Sequence, residues 1–169
     1  VDGNGNADSN GFGDLNLAAN ITLSTTNGDL TINTNDLVTS NTTINAAGVS
    51  AAVIGINDSF ILEADVTLIG TTSVSLAAID SASGETNSLN VTSPLTTFNG
   101  AIGATDALSD LVSDAVGNTT ISTATLNANG NQLFNDDVLL NVNASFSAGN
   151  VTFGSIEGVG ADRGLSVNA

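Results

Sequence analysis

The sequence predicts an all-β fold, a β-solenoid of stacked coils, and three observations predict it. Short β-prone runs follow one another from Leu15 onward, separated by Asn, Gly, Asp and Ser turns. Many of these runs alternate apolar and polar residues, which turns one side of a strand inward. Long segments also recur in order. NTTIN (41–45) returns as NTTIS (118–122), and VSLAAID (74–80) as VTFGSIE (151–157), both 77 residues later. NDSFILEADVTL (57–68) matches NDDVLLNVNASF (135–146) at an offset of 78, and SLNVTS (88–93) matches GLSVNA (164–169) at 76. Such a repeat points to an array whose units bury their apolar faces on one another.

The chain divides at residue 14. Residues 1–14 (VDGNGNADSNGFGD) have almost nothing to bury and read as a linker or a calcium loop. Residues 15–169 read as the solenoid, an array of about two ~77-residue repeats. Its runs include LNLAANITLS, DLTINTN, AAVIGI, FILEADVTLIG, SVSLAAI, SLNVTS, LTTFNG, QLFNDDVLLNV and ASFSAGNVTFGSI. The segment DALSDLVSDAVG (106–117) reads equally as a short helix, with Leu108, Leu111, Val112 and Val116 on one stripe, or as a turn of the coil. Pro94 stands at a strand start, where its missing N–H is tolerated.

A finer period lies inside the repeat. INDSF (56–60), LAAI (76–79), FNGAI (98–102), FNDDV (134–138) and FGSI (153–156) share an apolar–small–apolar pattern. Their spacing sets an expected step of ~19 residues, one coil of two or three short strands, about four coils per repeat. Coils stacked ~4.8 Å apart place Val, Ile, Leu and Phe in apolar columns. Asn at the corners would hydrogen-bond from coil to coil in ladders. The open ends need a cap or further coils, and SVNA (166–169) is an uncapped stretch in mid-pattern, which points to continuation into a neighbour. The alternative architecture is a tandem of β-sandwich repeats, which expects antiparallel hairpins and a buried aromatic; the chain has no Trp or Tyr.

Composition narrows the chemistry. Against 17 acidic residues stands one basic residue, Arg163, for a formal net charge of -16. His and Cys are also absent. A Ser-His-Asp triad, a thiolate nucleophile, a lysine Schiff base and a Cys/His zinc site are therefore excluded. One Arg cannot neutralise a row of phosphates, so no nucleic-acid partner is expected. The acidic surface is repelled by anionic membranes, and no stretch of 18 apolar residues is present for membrane insertion. The chain begins with Val1 rather than Met, as a processed or excised piece would.

LTTFNGAIGATDALSDLVSDA (95–115), NQLFNDDVLL (131–140) and NVTFGSIEGVGADRGLSVNA (150–169) resemble the β-strand repeats of bacterial giant surface and secreted proteins, the filamentous-haemagglutinin-like adhesins. The resemblance covers residues 15–169 and lies in a repeat pattern, not in a catalytic motif. It implies a right-handed parallel β-helix, a secreted or cell-surface location, and a role as stalk, adhesin or matrix fibre. AAVIGINDSFILEADVTLIG (51–70) is more apolar than that pattern, as a specialised coil or an assembly surface would be.

The candidate sites are few. Asp2, Asn4, Asn6 and Asp8 alternate and resemble the calcium loops of dockerin and thrombospondin-type repeats, so calcium is the expected cofactor. The pattern departs from those loops at Ala7, where Gly is usual, and at Gly13, where a bidentate acid is usual. Asp136–Asp137 reads first as a solvated corner and second as another cation site. Glu63 and Asp65 share one strand face, as a glycosidase pair would; polysaccharide-cleaving β-helices typically add Lys, Arg or His, so an enzyme is not expected. Seven N-x-S/T sequons occur, at Asn20, Asn41, Asn57, Asn90, Asn118, Asn143 and Asn150. The Thr pairs at 42–43, 71–72, 96–97 and 119–120 read as ordinary β-formers before they read as a flat Thr face. The expected function is structural: a component of an extracellular fibre, surface layer or adhesin stalk that acts by repeat stacking and end-to-end self-assembly. Its partners are further copies or neighbouring repeats of one long chain. The alternative is a calcium-dependent module that binds glycans or surfaces.

Overall fold

The computed structural model describes residues 53–169 except Asp58, Glu63 and Ala161, and, before them, the backbone of five short strands between residues 15 and 46. The chain winds through three strand positions per turn. The first turn carries β1 (Leu15–Leu17), β2 (Thr22–Thr25) and β3 (Leu30–Ile32). The next carries β4 (Leu37–Thr39), β5 (Thr43–Ala46) and β6 (Val53–Ile56), followed by β7 (Phe60–Leu62), β8 (Val66–Gly70) and β9 (Ser73–Leu76). Then come β10 (Ile79–Ser81), β11 (Leu89–Thr92) and β12 (Leu95–Phe98). Ile102, β13 (Leu111–Ser113) and β14 (Asn118–Ile121) make the following turn. After β15 (Thr125–Asn127), the ten residues of β16 (Asn131–Leu140) run through two strand positions. β17 (Ala144–Ser147) and β18 (Asn150–Gly158) repeat that arrangement, and β19 (Leu165–Asn168) begins a further turn.

Every strand pair is parallel, which excludes the sandwich and establishes the β-solenoid. Three faces run along it. Face 1 stacks β1, β4, β7 and β10, then Ile102 by single bridges, then β15, β17 and β19. Face 2 stacks β2, β5, β8, β11, β13 and the first halves of β16 and β18. Face 3 stacks β3, β6, β9, β12, β14 and the second halves of β16 and β18.

The step is longer and less uniform than the expected ~19 residues. Thr67 pairs Asn90, which pairs Val112, which pairs Leu133, which pairs Thr152. The shortest step is 18, Val138 to Ile156, and Leu30 to Ile54 takes 24. The extra residues sit in corner loops such as 82–88 and 103–110, where added length leaves the stacked strands in place. The segments that match at 77 residues lie on different faces: Thr43–Ala46 on face 2 and Asn118–Ile121 on face 3, Leu89–Thr92 on face 2 and Leu165–Asn168 on face 1.

The core is a set of axial columns. Ile56, Leu76, Phe98, Ile121 and Leu140 stack on face 3. Leu68, Val91, Ser113, Phe134 and Phe153 stack on face 2, and Ile79, Ile102, Leu126, Phe146 and Val167 on face 1. Apart from Ser113, the polar member of its column, and the last members Phe153 and Val167, these described side chains are buried. Each contributes roughly 1.5–3 kcal/mol by leaving water. Inside one corner, Gln132 is fully buried, and its Nε2 donates to the carbonyls of Leu126 (2.9 Å) and Ser147 (3.0 Å), tying two turns of face 1 together.

Residues 106–117 take the coil alternative. Leu111 and Ser113 point inward and Val112 outward, the two-residue period of a strand, while Val116 is 60% exposed and shares no stripe with them. Stacking between β11 and β16 supplies the backbone partners that a helix would have found within itself. At the following corner Gly117 takes φ +87°, and a Cβ there would collide with the Pro94 carbonyl oxygen, the acceptor for the Asn118 N–H at 3.1 Å.

Candidate assembly surface

The surface is built from two features, a polar ladder along a corner and the last turn of the stack. The ladder stands where face 2 begins. Asp65 precedes β8, Ser88 precedes β11, Asp110 precedes β13, Asn131 opens β16 and Asn150 opens β18. Each reaches the next turn. Asp65 Oδ1 accepts the Ser88 N–H at 2.8 Å. Asp110 Oδ1 accepts the Asn131 backbone N–H at 2.7 Å and its Nδ2–H at 2.8 Å. Asn131 Oδ1 accepts from Asn150 Nδ2 at 3.1 Å. The Asn131 N–H holds the Asp110 carboxyl below the ordinary carboxylate range, with burial opposing it. Other corners do the same. Asn99 Nδ2 donates to Ser75 Oγ (2.9 Å), Asn141 Nδ2 to Ser122 Oγ (3.1 Å), and Asn143 Oδ1 accepts the Gly164 N–H (2.8 Å). The expected corner ladders are present, with Asp and Ser as members beside Asn.

The last turn leaves its columns open. β18 pairs β16 and β19 pairs β17, and neither has a strand on its other side among the described residues. Leu165 and Val167 point into the stack above Ala144 and Phe146, yet remain 44% and 47% exposed. Below them three rings interlock. Phe134 and Phe146 meet edge to face at 5.6 Å, Phe146 and Phe153 likewise at 5.1 Å, and Phe134 and Phe153 stack at 5.6 Å. Phe153 and Ile156 are only partly buried, because nothing is laid on them. The turn thus offers unpaired strand edges flanking a half-covered apolar centre, which a further parallel coil would complete.

The structure redistributes the sequence candidates. Asp2, Asn4, Asn6 and Asp8 lie outside the described residues, as does Glu63. Asp65 belongs to the corner ladder. Asp136–Asp137 is not a solvated corner. Asp137 is exposed and accepts Ser155 Oγ–H at 2.6 Å, but Asp136 is buried, 3% exposed, because alternation along β16 turns residues 132, 134, 136, 138 and 140 inward. That parity was the available signal for it. Burial pushes its carboxyl up, opposed by hydroxyl bonds from Thr119 (2.8 Å) and Ser113 (2.9 Å). The Thr pairs 96–97 and 119–120 form no flat array, since Thr96 and Thr119 point inward and only Thr97 and Thr120 outward. Among the sequon residues described, Asn57, Asn90, Asn143 and Asn150 are exposed.

Compared with known proteins, the chain matches no family model, no curated protein and no solved structure.

Proposed function

We propose that this chain is a structural segment of an extracellular fibre, surface layer or adhesin stalk, lengthened by end-to-end stacking of parallel coils. The observation that carries this reading is the last turn, where Leu165 and Val167 are aligned with the core columns but are 44% and 47% exposed. Covering them removes apolar surface from water and pairs two strand edges at once. The next coil belongs to another copy or to a neighbouring repeat of one longer chain, and both would use this surface. The composition supports the same role: one basic residue and no His or Cys leave little for catalysis, and stacked turns can stabilise a secreted protein that lacks disulfides.

Cryo-electron microscopy of the purified chain, with and without a calcium chelator, tests the proposal. Filaments with a ~4.8 Å axial repeat support it, and loss of filaments on chelation would place calcium at the junction. Isolated short rods at all concentrations would rule out self-assembly. A longer chain whose next residues continue the coil past β19 would establish the stalk form.

A further inference from the structure

We propose that Asp136, Thr119, Ser113 and Thr96 form an internal site for one small monovalent cation of the sodium class. All four lie inside the solenoid. Asp136 Oδ1 accepts from Ser113 Oγ at 2.9 Å and Oδ2 from Thr119 Oγ1 at 2.8 Å. Both hydroxyl protons are thereby directed at the carboxylate, which leaves the lone pairs of both oxygens for another partner.

Thr96 lies one turn below, in register with Thr119 on face 3 and turned to the same interior. It is fully buried, and its Oγ1 has no hydrogen-bond partner. Native interiors rarely leave such an atom unpaired, and one that is unpaired points to a bound water or ion. Neighbouring turns stand ~4.8 Å apart. An ion between them would lie about 2.4 Å from an oxygen on each side, within the range of hard cations with oxygen ligands.

Charge selects an ion over a water. A buried carboxylate is costly without a positive partner. The chain has one basic side chain, Arg163, which is exposed and donates its Nη2–H to the Val159 carbonyl. The charged neighbour that bears on Asp136 is Asp114, of the same sign. One carboxylate balances one positive charge. A divalent ion commonly draws on more acids, and no group of three such ligands occurs among the described residues.

The test is thermal unfolding of the full chain at fixed ionic strength in sodium chloride and in tetramethylammonium chloride, whose cation is too large to enter. The wild type should melt roughly 3–6 °C higher in sodium. Asp136→Asn removes the charge and should abolish the difference; Thr96→Val removes one ligand and should shrink it. Equal melting in both salts would overturn the proposal and leave a buried water. A sodium effect of full size in both variants would also overturn it by placing the ion elsewhere. If Asp136→Asn does not fold, the wild-type comparison and Thr96→Val decide.

Discussion

Asp110 holds Asn131 twice, accepting its backbone N–H at 2.7 Å and its side-chain amide at 2.8 Å on the same Oδ1. The two residues are one turn apart, and the clamp fixes where face 2 resumes. Asp110→Ala should cost about 1 kcal/mol, the scale of charge-assisted bonds at a partly solvated site. Urea unfolding would measure it. The Asp110 carboxyl is held low in the folded state, so its contribution is present above the unfolded pKa and is lost as pH falls through the folded one. Wild-type stability should therefore drop below about pH 4. Asp110→Asn should flatten that part of the profile.

Asp136 gives the opposite sign. Its carboxyl is pushed up by burial, so the folded state holds the proton more tightly than the unfolded chain. That stability is present in full below the unfolded pKa of about 3.9 and is lost as pH rises through the folded pKa. In tetramethylammonium buffer the melting temperature should fall across this window, and Asp136→Asn should not show the fall. A flat wild-type profile after subtraction of the Asp110 contribution would refute it.

The ring cluster is a second point of leverage. Phe146 is fully buried between Phe134 and Phe153. Phe146→Ala should destabilise by about 3–5 kcal/mol, with transfer and cavity terms adding. Phe153→Ala should cost markedly less, because its ring is half-covered in the single chain. Calorimetry on both variants gives the ratio, and stacking of a further coil should narrow it.

Val167→Asp separates assembly from folding. The side chain is 47% exposed, so the single chain should lose no more than about 1 kcal/mol. A charge aimed into the next coil would be buried without a partner, and filaments should disappear. Sedimentation of wild type and variant at matched concentration checks it. Equal filament yield would place the junction at another surface.

What the sequence alone determined was local. Period-two alternation assigns inside and outside along each strand, so that Phe98, Ile121 and Leu140 could be read as core, and the same parity marks Asp136 as inward. Parallel stacking followed from short apolar runs and their recurrence, and the corner ladders from the abundance of Asn. The tertiary structure decided which turn lies on which. Steps vary from 18 to 24 residues because corner loops absorb length cheaply, so segments alike at 77 residues stand on different faces. It also decided that residues 106–117 pair as strand, since their neighbours in β11 and β16 complete the ladder. The partners of Asp136 came the same way. Ser113 and Thr119 are 23 and 17 residues back in the chain, and only the register of stacked turns brings their hydroxyls to one carboxylate.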